Sequence, residues 1–390
     1  MPRFPHGAPS ANSLSDRVFG QLVRRSVDAR GVQKVYPLHV GDTYLEPLPL
    51  ARAEAQMSAA RSRLHNYSPV QGEPELLEAI RDKVQRRSSW QLKLENIQVM
   101  AGATAAMGVI CNSLLEPGDE VIIPSPFWPL IRGAVRGRGG VAVEVPIYTR
   151  LDEPGFDPVA AIEAAITPRT CAIYVNTPHN PTGNTLPERV LAGIAELAQR
   201  HNLWIFSDEV YEDVYFGEQA PASVFARPDF AERTVATHSV SKAYGLAGAR
   251  VGYTHGAPAA MEIIRGVQTF YSYCAPRPMQ FGAAAALRHG DAWLADMRTT
   301  YARAGRAAAH ALEIPEPKGG TFLFFDLSRF MRASETPTQV LERCVDAGVM
   351  LTPGTACGSA FESWARLCFT SVTEPELQDA LKLLHGALFR

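Results

Sequence analysis

Four short apolar runs in the middle of this 390-residue chain end in residues able to do chemistry. The run 234–238 gives way to Ser239-Val-Ser241-Lys242, and 203–206 to Ser207-Asp208-Glu209-Val-Tyr211. The run 171–175 leads into Asn176-Thr-Pro-His-Asn180-Pro-Thr-Gly183, and 97–101 into Gly102-Ala103-Thr104. A lysine at a strand end can form a Schiff base with an aldehyde cofactor. A carboxylate such as Asp208, facing a pyridine nitrogen, keeps that nitrogen protonated and makes the ring an electron sink. An asparagine and a tyrosine, here Asn180 and Tyr211, can stabilise an anionic ring oxygen by hydrogen bonding. A Gly102-Ala103-Thr104 turn opening a helix is a ready phosphate site, to which Ser239 and the planar fork of Arg250 can add donors.

These residues act together only if the fold gathers them. Further apolar runs lie at 120–123, 141–145 and 250–253, and several of the seven are nearly continuous, as strands buried on both faces must be. Between them lie helical patterns at 104–115, 187–200 and 258–270. Pro187 is tolerated in a first helical turn, and Gly118 stops the first of these helices. Strands alternating with helices predict a mostly parallel sheet with right-handed crossovers, and ligands of such sheets sit beyond the carboxyl ends of the strands.

The C-terminal part reads differently. A long helix at 291–312 leads to a strand at 322–327, a helix at 337–347, strands at 349–352 and 365–370, and a last helix from Glu374. This is the pattern of a smaller α+β domain, which the first forty or so residues join or extend as an arm.

Net charge is −2, which points to neither nucleic acid nor an anionic membrane surface. No run approaches the eighteen or so apolar residues of a membrane span. Six scattered cysteines form no metal-like cluster and read as thiols of a reducing compartment. The opening MPRFPHGAPSANS has no apolar core of a leader, so the cytoplasm is the expected location. His39, His65 and His179 share no metal spacing and read as structural or surface residues.

Three segments in order carry a resemblance: Asn180-Pro-Thr-Gly, Ser207-Asp-Glu-Val-Tyr211, and Ser239-Val-Ser-Lys-Ala-Tyr-Gly-Leu-Ala-Gly-Ala-Arg250-Val-Gly252. From about Val40 to the C-terminus the chain resembles the fold-type I, class I/II aminotransferases of the aspartate aminotransferase superfamily. The surroundings of Trp128, Pro317-Lys-Gly-Gly320 and Pro353-Gly354 agree. The resemblance implies an α/β fold with a large domain (45–282) around a mostly parallel seven-stranded sheet. It also implies a smaller α+β domain (283–390), with 1–44 as an N-terminal arm or part of it. It implies pyridoxal 5'-phosphate (PLP) as cofactor. Lys242 is then the Schiff-base lysine and proton carrier, Asp208 the partner of the ring nitrogen, and Asn180 and Tyr211 the partners of the ring oxygen. Gly102, Ala103, Thr104, Ser239 and Arg250 cradle the phosphate, and Trp128 stacks on the ring, with Phe127 as the competing stacker. Arg366 takes the substrate α-carboxylate, Gly41 lets backbone approach the substrate, and Tyr67 reaches the phosphate of a partner subunit. A homodimer with shared sites follows from that last match.

The implied reaction moves an amino group from an amino acid to a 2-oxo acid. Relatives that prefer dicarboxylates use an arginine from the neighbouring subunit, and the matching stretch here, Phe270-Tyr271-Ser272-Tyr273, has none. Arg265 and Arg277 lie out of register. The reading therefore favours a neutral or aromatic amino acid, with Tyr36, Tyr44, Tyr271 and Tyr273 as pocket walls. The same residues also serve β-elimination (a C–S lyase), cyclisation or β-replacement, and the scaffold can act as an effector-binding domain in regulators.

Overall fold

The computed structural model of the protein describes residues 17–30, 33–56, 61–88 and 90–389. The first sixteen residues of the expected arm lie outside the described residues. The chain begins with helices α1 (Arg17–Arg30), α2 (Pro49–Glu54) and α3 (Pro74–Arg87). It continues through β1 (Ile97–Met100), α4 (Ala103–Leu114), β2 (Glu120–Ser125), α5 (Pro129–Gly137), β3 (Val141–Pro146) and α6 (Pro158–Glu163). Then come β4 (Thr170–Asn176), α7 (Glu188–Arg200), β5 (Trp204–Asp208), β6 (Thr234–Ser239) and β7 (Gly252–His255). Helices α8 (Pro258–Tyr271), α9 (Arg277–His289) and α10 (Asp291–Leu312) precede β8 (Phe322–Asp326), α11 (Pro337–Asp346), β9 (Thr352–Pro353), β10 (Trp364–Cys368) and α12 (Glu374–Phe389).

The large sheet has seven strands in the order β1-β7-β6-β5-β4-β2-β3. Strand β7 is antiparallel to both of its neighbours, and every other pairing is parallel. The central strands are apolar throughout because both faces are covered. On β2, Val121 and Ile123 pack with α4, α5 and α8 residues such as Ile110, Ile131 and Ile264. Ile122, between them, packs on the opposite side with Leu191 and Ile194 of α7. That is the two-residue period of a strand, and each such side chain contributes roughly 1.5–3 kcal/mol by leaving water. Strand β3, at the sheet's edge, is correspondingly more exposed.

The second sheet is antiparallel, in the order β8-β10-β9. One expected strand is shorter than its apolar run and another is shifted along the chain. Of the run 349–352 only Thr352 pairs with β10, together with Pro353 beyond it, while Val349 forms an isolated bridge to Tyr36. The strand expected at 250–253 starts at Gly252, because Arg250 turns the chain with a left-handed backbone (φ 51°). A Cβ at Gly252 would lie 2.7 Å from the His238 carbonyl, so only glycine fits there. Helix α9 has no polar stripe to announce it: Gln280 to Leu287 are all buried. No helix of the described residues is long and apolar enough to cross a membrane.

Candidate active site

The carboxyl ends of β4, β5 and β6, the start of α4 and α5, and the second sheet enclose a cavity of about 620 Å³. Into it project Ala103, Thr104, Trp128, Asn180, Asp208, Tyr211, Ser239, Lys242, Arg250, Gly41 and Arg366. Residues 325 positions apart in sequence are thus gathered at one place, Gly41 from the N-terminal segment and Arg366 from β10.

Asp208 is the last residue of β5 and is buried. Its Oδ2 accepts from the Tyr174 hydroxyl at 2.6 Å and its Oδ1 from the Val210 amide at 3.2 Å. Its carbonyl accepts from Asn176 Nδ2 at 2.9 Å, and Asn176 Oδ1 in turn accepts from the Asn180 amide at 2.8 Å. The end of β4 therefore braces both the acid and the loop that presents Asn180. That loop is pinned to the second sheet at Gly183 (φ 69°), where a Cβ would lie 2.5 Å from the Phe322 carbonyl. Burial pushes the Asp208 carboxyl up to about 6, against the lowering effect of its two donors. A cationic group beside it would reverse that shift.

Lys242 follows β6 by three residues and is held by a hydrogen bond from Nζ to the Gly41 carbonyl. Burial lowers its proton affinity, with Arg366 and Arg250 acting in the same direction against the raising influence of Cys368 and Asp42. Gly41 is needed for that approach, since a Cβ there would lie 2.8 Å from the Phe322 ring. Tyr211 is buried edge-on to Phe322, with ring centroids 6.0 Å apart.

At the other end of the cavity, Arg250 Nη1 donates to the Ala247 carbonyl at 3.0 Å. Gly102, with φ 85°, is the N-cap of α4, and a Cβ there would lie 2.4 Å from Arg250 Nη2. The glycine opens room for the guanidinium beside the unpaired amides of the first turn of α4. Ser239 Oγ accepts from the Ser241 amide at 3.0 Å, and Ser241 also lines the cavity. Together they make a small-residue, donor-rich cradle of the kind that holds a phosphate.

Arg366 is buried and lies 4.4 Å above the Phe322 ring. Its Nη1 donates to Asn180 Oδ1 at 3.1 Å, and its Nη2 to the His39 carbonyl at 2.9 Å and Thr352 Oγ at 3.2 Å. Its Nε is buried without a partner among the described residues. Trp128 faces the cavity from the N-cap of α5, whereas Phe127 is fully buried in the core beneath it.

Two placements depart from the sequence reading, that of His39 and that of the pocket tyrosines. His39 lines the cavity, and burial with Arg366 nearby lowers its imidazole to about 4, so it is neutral. His179 is fully enclosed and stacks on Tyr148 at 3.3 Å, while His65 is exposed. Of the four expected pocket tyrosines none lines the cavity of this chain: Tyr36 is buried beside Val349, Tyr44 packs near Tyr301, and Tyr271 and Tyr273 are exposed. Arg265 bonds Gln98 and Arg277 pairs with Glu73, both outside the cavity. Tyr67 is 80% exposed and touches Tyr273, with centroids 5.1 Å apart. Sequence reasoning missed Phe19 and Arg132, which also line the cavity; Arg132 lies one helical turn after Trp128, a spacing that was readable.

Residues 33–384 match the family model described as aminotransferase class I and II. The chain is 33% identical over 346 residues to a probable aspartate/prephenate aminotransferase of Thermus aquaticus, covering 86% of this chain and 87% of that one. It is 32% identical over 354 residues to an arginine–pyruvate transaminase of Pseudomonas aeruginosa, covering 88% and 87%. Among solved structures, a double mutant of Thermus thermophilus aspartate aminotransferase superposes with TM-score 0.89 at 27% identity, over 98% of this chain and all of that one. N-succinyldiaminopimelate aminotransferase of Mycobacterium tuberculosis does so with TM-score 0.88 at 26% identity, again over 98% and 100%. With the family model spanning nearly its whole length, the chain belongs to the class I and II aminotransferases and is an amino-acid aminotransferase.

Proposed function

We propose that the cavity holds pyridoxal 5'-phosphate on Lys242 and that the enzyme moves the amino group of an α-amino acid to a 2-oxo acid. The observation that carries this is the meeting of Lys242, Asp208, Arg250 and Arg366 in one cavity. The residues fit the cofactor. The Gly102 cradle beside Arg250 has no room for a Cβ and suits a phosphate. Asp208 is a buried acid that gains from a cationic neighbour. Trp128 presents a face to the cavity.

When bound, the cofactor supplies an aldehyde that takes up the amino group and a protonated ring that draws electrons from the substrate Cα. Asp208 holds the proton on the ring nitrogen. Lys242, with proton affinity lowered by burial, would hold the cofactor and, once its Nζ is released by the incoming amine, would be the base positioned to carry the substrate Cα proton. Arg366 pairs with the α-carboxylate and fixes which Cα bond is presented. Because Asn180 Oδ1 accepts from Arg366, its Nδ2 is the donor for the ring oxygen, with Tyr211 beside it. One asparagine thus ties substrate orientation to the ring.

With the cofactor residues on unit 45–282 and Arg366 on unit 283–390, which the described part of 17–44 joins, the substrate would lie between two units. A cluster of exposed aromatics, Tyr67 (80%), Phe270 (88%), Tyr271 (63%) and Tyr273 (45%), supports a homodimer in which Tyr67 reaches the partner subunit's cofactor phosphate. The six cysteines are all free, which suits the reducing cytoplasm.

The test is the visible spectrum of the purified, PLP-loaded protein before and after adding amino acids without a 2-oxo acid. Transamination predicts full conversion to the pyridoxamine form. Persistence of the original band with release of ammonia and a 2-oxo acid would instead identify a lyase, and no band after adding PLP would remove the cofactor assignment.

A further inference from the structure

Among the described residues, four basic side chains line the cavity, Arg132, Lys242, Arg250 and Arg366, against one acid, Asp208. The function proposed above gives a partner to all of these except Arg132. Lys242 goes to the cofactor aldehyde, Asp208 to the ring nitrogen, Arg250 to the phosphate and Arg366 to the α-carboxylate.

Arg132 is not a stray surface charge. It lies on α5 four residues after Trp128, so the two share a helix face about 6 Å apart along the axis. Its side chain is only 19% exposed. One face of the guanidinium lies 5.5 Å from the buried Phe127 ring, and Nη1 donates to Glu144 Oε1 at 3.2 Å. Glu144 is itself shared, because its Oε2 accepts from the Ser359 amide at 2.7 Å and the Ser359 hydroxyl at 2.8 Å. Arg132 Nε is buried with no hydrogen-bond partner among the described residues. The arginine is thus oriented by a ring and by one oxygen of a carboxylate whose other oxygen is taken by Ser359, and it is left with donor capacity at the cavity wall. A hydrocarbon or aromatic side chain docked there would strip water from that guanidinium and return no hydrogen bond. A carboxylate would satisfy it, at a site already organised to receive one.

We infer that Arg132 reads a carboxylate at the far end of the substrate side chain, so the substrates are acidic α-amino acids and dicarboxylic 2-oxo acids. This inference rests on the aminotransferase reading and deepens it. It replaces the preference for neutral or aromatic substrates drawn from the lack of an arginine in 270–273. The cation is supplied from within this chain.

The test uses the PLP-loaded full chain with aspartate, glutamate and 2-aminoadipate against leucine and phenylalanine. The best acidic donor is expected to exceed both neutral donors in kcat/KM by at least about tenfold, the scale of one charged hydrogen-bonded contact. Arg132→Met is expected to lower the acidic-to-neutral ratio of kcat/KM roughly a hundredfold, mainly through KM. Arg132→Lys, which keeps charge without the fork, is expected to fall between. Because Arg132→Met strands Glu144, the double variant Arg132→Met/Glu144→Gln is measured beside it and should show the same loss. Calorimetry supplies a second readout: succinate should bind the wild-type holoenzyme, bind far more weakly to both variants, and bind more tightly than butyrate. A wild-type enzyme that transaminates leucine or phenylalanine as well as any acidic donor overturns the inference and leaves the aminotransferase reading standing. An unchanged ratio in both variants also overturns it and makes the Arg132–Glu144 pair structural only. If no amino acid converts the cofactor, the mechanism proposed above falls, and succinate binding alone then decides for or against an Arg132 carboxylate site.

Discussion

Replacing Asp208 with asparagine separates what the acid costs the empty protein from what it gives the loaded one. In the cofactor-free chain, burial raises its carboxyl from 3.8 to about 6. The folded protein then holds that proton more tightly than the unfolded chain does. Stability therefore falls as pH rises from about 4 to about 6 and is level above that. A shift of about two units corresponds to on the order of 3 kcal/mol. Asp208→Asn removes this term and keeps an acceptor for the Tyr174 hydroxyl. It risks the bond from the Val210 amide, a loss of about 1 kcal/mol.

The expected result is a crossover. At pH 8 the cofactor-free variant should be more stable than the wild type by about 2 kcal/mol, and at pH 4 less stable by about 1 kcal/mol. Urea unfolding of both proteins at matched concentration from pH 4 to 8 measures this, and taking the difference cancels every other titrating group. With PLP the order should invert at pH 8. The ring-nitrogen cation then pairs with Asp208, and transamination by the variant should drop by a factor of at least about a hundred. A stability difference independent of pH would refute the assignment of a raised carboxyl at Asp208. A crossover without inversion on adding PLP would keep the raised carboxyl and remove the ring nitrogen as its partner.

Four further outcomes are expected. Lys242→Ala should abolish turnover with every amino donor while the protein still binds PLP reversibly, as judged by equilibrium dialysis. Gly102→Ala, which forces a Cβ to 2.4 Å from Arg250 Nη2 at a backbone with φ 85°, should weaken PLP binding about tenfold in fluorescence titration, with little change in KM. Arg366→Lys loses the forked contact and should raise the donor KM roughly thirtyfold in steady-state assays. Lys83→Met strands the Asp213 carboxylate and takes one cation from buried Glu212, which keeps Arg87, and should cost roughly 3 kcal/mol in urea unfolding.

The parts of this molecule that the sequence made legible are those whose position follows from a strand end. Asp208, Ser239 and Asn176 are the last residues of β5, β6 and β4, so an apolar run and its next few residues locate them without tertiary knowledge. Gly102 and Ala103 sit where β1 hands over to α4, with the same consequence. Lys242 and Arg250 inherit their places from the turn that joins β6 to β7. The helices packed on all sides, such as α9, were not legible, because burial erases the polar face that gives a helix its period.

The substrate end of the cavity was harder for a different reason. It is assembled from Phe19 and His39 before the first strand, Arg132 on α5, and Thr352 and Arg366 in the second sheet. No local pattern ties these together. Their meeting depends on contacts such as Cys368 to the Leu38 carbonyl and Phe127 to the Cys357 carbonyl, at 2.7 and 2.8 Å, which join segments hundreds of residues apart. The lack of an arginine in 270–273 concerns one position of the chain and not the other cations that line the cavity. On the acidic-substrate reading proposed above, the requirement is a cation at the cavity wall, and any element that reaches the wall can supply it. Helix α5, which begins beside Trp128, brings Arg132 to that wall one turn later, with the Phe127 ring and Glu144 against its guanidinium. Cofactor recognition is fixed to the strand ends by the sheet, whereas side-chain recognition is free to move among the elements around it. For that reason the first can be read along the chain and the second only across it.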